Sequence, residues 1–142
     1  MSEAPTREDF SVVRRITTRW ADEDVYGHVN NVLYYSYFDT AVNGYLLDAT
    51  STDIRLLPAI GVVVESSCSF LRSLRFPADV EAGLSVTRLG STSVTYDIGL
   101  FQGAERAPAG RGRFVHVYVD LAARRPAPLP DLIRAALEPL VR

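Results

Sequence analysis

The chain has 142 residues, 47% hydrophobic and 23% charged, with a formal net charge of -2. That length builds one domain with a sizeable core, spanning residues 1–142, and leaves no room for two domains and a linker. The near-neutral balance gives no electrostatic footprint for nucleic acid, the single Cys68 rules out an intrachain disulfide, and the two histidines offer no metal-ligand spacing.

The opening residues, Met1 to Asp9, are polar and acidic, unlike the basic then apolar profile of a secretory signal. No apolar run approaches the roughly 20 residues that span a bilayer. The expected setting is the reducing cytoplasm, with no membrane partner. Residues 10–20 then alternate, with Phe10, Val12, Ile16 and Trp20 on one side and Arg15, Thr17 and Arg19 on the other; this predicts a half-buried strand broken on its apolar side by Arg14. Residues 21–30 form an acidic turn containing Gly27. Asn30 or Asn31 then serves as N-cap of a helix from about Asn31 to Asp48, because a short polar side chain can accept a bond from the first-turn N–H groups.

That helix carries one polar stripe, Ser36, Asp39, Thr40 and Asn43, while Val32, Leu33, Tyr34, Phe38, Ala41, Val42, Tyr45 and Leu46 cover most of the rest. A helix apolar around most of its circumference belongs in an interior. After an exit loop at Asp48–Asp53, the β-branched or alternating runs Val62–Leu71, Val80–Val86, Val94–Leu100 and Arg113–Val119 read as strands. Gly90-Ser91 and Gly103–Gly110 are hairpin connections, so an antiparallel sheet of about five strands is expected. Arg124–Pro130 is extended by its prolines, and a short helix with Leu132, Ile133, Ala136 and Leu137 ends at Pro139. The class is α+β: a curved sheet wrapped around a central helix, followed by a short C-terminal helix.

With the run Arg-Trp-x-Asp-x-Asp-x-x-Gly-His-Val-Asn-Asn-x-x-Tyr from Arg19 to Tyr34, this organisation resembles the hot-dog fold. Within that fold it resembles the 4-hydroxybenzoyl-CoA thioesterase-like acyl-CoA thioesterases. The resemblance extends to the Phe70–Asp79 turn, Val117-Tyr118-Val119-Asp120 and the proline-containing tail, nearly the whole chain. It implies an acyl-CoA substrate, with coenzyme A as part of the substrate and no separate cofactor or metal, and a homodimer or homotetramer. It also implies that Asp24, three residues before Gly27, is the catalytic carboxylate, and that the backbone N–H of Asn31, four residues after it, faces the thioester oxygen.

The residue chemistry agrees with those roles: thioester hydrolysis needs a nucleophile or base at the carbonyl carbon and donors for the developing oxyanion. Gly27 lets the loop adopt left-handed dihedrals and is expected to let substrate approach closely. His28, Asn30 and Tyr34 are candidate substrate contacts, the ring of Tyr34 joining Tyr35, Tyr37, Phe38 and Tyr45 in an apolar wall. Glu65, a carboxylate inside a strand, is expected to touch the pocket or an arginine. Arg72, with Arg75, and Arg88, with Ser91 and Thr92, are candidate phosphate contacts for the CoA end. Asp22 is assigned a turn or backbone-bonding role. Asp39 is read as a helix charge facing water or a partner, over the helix-borne catalytic acid of a second group of thioesterases with this fold. His116 is read as a hydrogen-bonded strand residue, over one lining the site. Two other readings use the same fold: a module that binds acyl-CoA without turnover, and a dehydratase or hydratase. The proline-containing motifs of the latter are missing here.

Overall fold

The computed structural model describes residues 4–142, so the first three residues of the polar start lie outside it. The strands are β1 (Val12–Ile16), β2 (Ala59–Phe70), β3 (Val80–Leu89), β4 (Ser93–Gln102), β5 (Gly110–Asp120) and the two-residue β6 (Arg125–Pro126). The helices are α1 (Val32–Thr50) and α2 (Asp131–Leu137). The sheet order is β1-β3-β4-β5-β2, every neighbouring pair is antiparallel, and β6 extends the pairing of β5. This is the hot-dog arrangement: a long helix held in a curled sheet, with the expected β3–β4–β5 meander joined at Gly90–Thr92 and Gly103–Ala109.

The core forms where alternate strand residues meet one face of α1. Ala82, Leu84 and Val86 of β3, Tyr96, Ile98 and Leu100 of β4, and Phe114 and Tyr118 of β5 are buried together with Phe38, Val42 and Leu46 of the helix. Ile133 and Leu137 of α2 close one end. The polar stripe behaves as its composition requires: Ser36, Asp39 and Thr40 are exposed and Asn43 is half-buried. Arg14, which interrupts the apolar side of β1, reaches the helix and pairs with Asp48 at 2.8 Å.

The expected strand over residues 10–20 is shorter than its alternation. Beyond Ile16, paired with Val80, the chain leaves the sheet, and the Asp22 carboxylate takes up both the backbone N–H and the guanidinium of Arg19. Trp20 is thereby folded into a 3-10 turn at 81% exposure, edge-on to Phe76, instead of facing the core. Phe10 also departs from the expected side. Ser11 N–H bonds the Ser85 side chain, which turns the chain so that the Phe10 ring lies on the convex face. A Cβ added to Gly83 or Gly99 would stand 2.6 or 2.7 Å from that ring, so the two glycines form the trough that receives it, with Phe101 alongside.

Among the described residues β2 pairs only with β5, leaving a twelve-residue strand at the sheet margin. Val62, Val63 and Val64 on it are all exposed, the last within a register shift between Val63 and Glu65.

Candidate active site

The loop before α1 is built around two carboxylates with different surroundings. Asp22 is 1% exposed and accepts hydrogen bonds from Tyr37 Oη at 2.7 Å, Arg19 N at 3.0 Å and Arg19 Nε at 2.9 Å. Burial alone would raise its pKa, but these donors together outweigh it and hold the carboxyl below its usual range. Burial and the Asp22 carboxylate in turn push the Tyr37 phenol well above its ordinary value. Asp22 thus ties the loop to the second turn of the helix, and its carbonyl accepts from Asn30 N–H at 2.9 Å. The opposite side of the loop is held by Val29 N–H to the Leu74 carbonyl at 2.8 Å and by Arg75 Nη1 to the Gly27 carbonyl at 2.9 Å.

Asp24 sits at the tip of this frame, half-buried. Its Oδ1 accepts from Tyr26 N–H at 2.9 Å and its Oδ2 from Asn30 Nδ2 at 3.3 Å. The turn closes through Gly27 N–H to the Asp24 carbonyl at 3.1 Å, with Gly27 at φ +83°, which only glycine adopts without strain. Open space surrounds the position where a Gly27 Cβ would be, so its conformation, not room for substrate, is what requires glycine there.

Asn30 joins the carboxylate to the helix. While its amide donates to Asp24, its Oδ1 accepts from Val32 N–H at 3.0 Å, so Asn30 is the side chain that caps α1. Asn31 already has helical dihedrals, and among the described residues its N–H meets no acceptor. It therefore points an unpaired donor outward from the positive end of a 19-residue helix.

Asp24, His28, Asn30, Asn31, Tyr34 and Arg72 line one open cleft of about 550 Å³, floored by Phe70 and Leu71. Tyr34 is fixed by its hydroxyl on the Arg72 carbonyl at 2.7 Å and by an edge contact with Phe70. His28 joins the loop through its carbonyl, which accepts from Asp24 N–H. Cys68 is outside the cleft lining, and burial pushes its thiol up to about 11, which keeps it protonated at neutral pH.

Other expected residues stand elsewhere. Glu65 is exposed on the convex face and pairs with Arg113; it lies outside the cleft because the Val63/Glu65 shift turns it outward. Arg88, Ser91 and Thr92 lie at the opposite end of the sheet from Asp24, where the Thr92 carbonyl accepts from Tyr118 N–H. Asp39 is exposed and bonded by Asn43 of its own helix. His116 is not the hydrogen-bonded strand residue expected: it is 2% exposed, and its Nε2 has no partner among the described residues. Sequence reading also missed Tyr37 as the partner of Asp22, since a separation of fifteen positions across a turn and a helix start carries no periodic signal. Among the described residues no helix is long and apolar enough to cross a membrane, and no group of three His, Cys, Asp or Glu side chains could hold a metal ion.

A curled antiparallel sheet around one helix, with a carboxylate loop at the helix amino terminus, defines a hot-dog protein of the thioesterase type. Residues 18–137 match the model of the thioesterase-like superfamily, and the chain belongs to that family. Among solved structures it resembles the PA5185 protein of Pseudomonas aeruginosa strain PAO1, with 46% identity over 98% of this chain and 97% of that one and a TM-score of 0.93. The PA2801 protein of the same species shares 33% identity over 89% and 98% of the two chains, with a TM-score of 0.81. A thioesterase of Thermus thermophilus, solved with coenzyme A and zinc, shares 30% identity over 94% and 96%, with a TM-score of 0.77.

Proposed function

We propose that the chain is a cytoplasmic acyl-CoA thioesterase. Asp24 attacks the thioester carbonyl carbon, or directs water onto it, while Asn31 N–H takes the charge that develops on the oxygen. A C–O bond forms and the C–S bond breaks, with CoA leaving as its thiolate. On the direct route water then hydrolyses the mixed anhydride and regenerates Asp24, and on the other Asp24 takes the proton of the attacking water. The observation that carries this reading is the junction at Asn30, which holds the Asp24 carboxylate and caps the helix whose free Asn31 donor opens into the same cleft. Similarity to a thioesterase that holds coenzyme A supports a CoA ester as substrate.

The substrate lies where two subunits meet. The free margin of β2, with its exposed valines, is suited to pairing with the same strand of a second copy, which satisfies the backbone of both. An antiparallel register that pairs the whole of Ala59–Phe70 sets Ala59 opposite the second copy's Phe70 and Gly61 opposite its Cys68. The turn bearing Arg88, Ser91 and Thr92 is at the Ala59 end, so pairing brings it toward the other subunit's Asp24 cleft, where those groups meet CoA phosphates.

Free-thiol release from short, medium, long and aromatic acyl-CoA esters tests the reading, comparing wild type with Asp24→Asn. Turnover by wild type that collapses in a folded variant supports it. Equal rates in the two proteins move the acid elsewhere, and tight binding without thiol release makes the chain a binding module.

A further inference from the structure

A second cavity, about 170 Å³, lies at the far end of the sheet from Asp24, between the later turns of α1, the start of β2 and β5. Leu46, Leu57, Ala59 and Ile133 give it apolar walls, and His116 and Tyr118 are deeply buried in its lining. A cavity of about 150 Å³ accommodates benzene, so this one has room for an acyl end of about six carbons.

His116 is unusual in what it lacks. Its Nε2 is buried without a partner, and so is the hydroxyl of Tyr96, whose ring centroid is 5.4 Å away. The other ring nitrogen, Nδ1, stands 3.1 Å from where a Gly61 Cβ would be, so the missing side chain leaves it uncovered beside the cavity that both residues line. Burial lowers the pKa of His116 against the opposing charge of Asp39, which keeps the imidazole neutral. A neutral imidazole has one donor and one acceptor nitrogen, and a hydroxyl can satisfy either. The charged residue of the lining, Arg55, is exposed at the mouth and paired with Asp53 at 2.9 Å, so the deep end beside His116 holds no charge for an anion, and a plain alkyl end leaves the imidazole unsatisfied.

We propose that this cavity receives the distal end of the acyl group, and that His116 selects a compact end carrying a hydroxyl over the same end without one. The inference rests on the reading of the chain as an acyl-CoA thioesterase. Within one subunit the cavity is too distant from Asp24: the helix from Asn31 to Leu46 is about 22 Å long, and the strand from Gly61 to Phe70 about 30 Å. Pairing along β2 places it beside the second copy's cleft, so each site is incomplete without the other subunit.

The test measures kcat/KM by thiol release for two matched pairs, hexanoyl-CoA with 6-hydroxyhexanoyl-CoA and phenylacetyl-CoA with 4-hydroxyphenylacetyl-CoA. Wild type, His116→Leu and Leu57→Trp are compared. Wild type favours the hydroxylated member of each pair by more than about tenfold; His116→Leu loses the preference through a fall in the rate on the hydroxylated ester, and Leu57→Trp, which narrows the cavity, slows both. An unchanged preference in His116→Leu overturns the proposal. Mixing Asp24→Asn subunits with His116→Leu subunits rebuilds one intact site per mixed dimer, so hydroxyl selectivity appears on mixing; its absence overturns the two-subunit site. Nitrogen-15 signals of the His116 ring, titrated with 6-hydroxyhexanoate and with hexanoate, give a readout independent of turnover. If wild type hydrolyses none of the esters, the thioesterase reading fails by itself, while a ring shift specific to the hydroxy acid still supports the cavity and an unmoved ring overturns it.

Discussion

The two ends of the sheet treat their buried polar groups in opposite ways. At the Asp24 end the Asp22 carboxylate is met by three donors from Arg19 and Tyr37, and Asp24 is gripped by Tyr26 and Asn30. At the Ala59 end two fully enclosed side chains, His116 and Tyr96, have polar atoms with no partner. A satisfied network fixes geometry in advance, as a carboxylate that must meet a carbonyl carbon requires. Beside the unsatisfied pair, the second nitrogen of the His116 ring lies uncovered at the cavity, where a ligand can reach it. The same sheet therefore carries a rigid end suited to chemistry and an expectant end suited to recognition.

The largest effect that would break this contrast is loss of turnover. Asp24→Asn should lower kcat by at least about 100-fold with the melting temperature retained, which rate assays and thermal melts read together. Next comes the frame. Asp22→Asn weakens a buried, multiply bonded carboxylate and should destabilise the fold by about 2 kcal/mol in urea titrations at neutral pH. The folded-state pKa of Asp22 is depressed, so its contribution is present above the unfolded value of 3.8 and lost as pH falls through the lower folded value. The stability gap between wild type and Asp22→Asn should accordingly shrink below that range.

Asn30→Ala removes the cap and one anchor of Asp24; a loss of about 1 kcal/mol of stability is expected, accompanied by a fall in kcat. His116→Leu reverses the sign and sharpens the contrast. Replacing an unsatisfied buried polar group with a hydrocarbon should leave stability unchanged or raise it by up to about 1 kcal/mol. Glu65→Gln is the smallest: an exposed ion pair on the convex face should change stability by less than about 0.5 kcal/mol and thiol release not at all.

Much of this was legible from periodicity and turn chemistry. The helix runs over Val32–Thr50 against an expectation of Asn31–Asp48, the capping asparagine was narrowed to two residues, and both glycine-marked hairpins join the strands anticipated. These features are local, because each follows from a few consecutive residues. The misreadings have non-local causes. Alternation from Phe10 to Trp20 does not reveal that β3 supplies partners only between Val12 and Ile16. Nor does it show a shift in the β2 register that turns Glu65 toward Arg113. The unpaired state of His116 depends on where Tyr96 and Gly61 fall across three strands, which no stretch of chain encodes by itself.

The seating of Phe10 has a consequence for how such a sequence can drift. Gly83 and Gly99 are paired neighbours on adjacent strands, and the ring at position 10 occupies the space that side chains on both would need. A methyl group at Gly99 would meet Cζ and Cε2 of Phe10, atoms that leucine lacks, so Phe10→Leu together with Gly99→Ala should be milder than the sum of the two changes. The three positions form one unit of covariation, and libraries that vary them one at a time will undercount the sequences this sheet can accept.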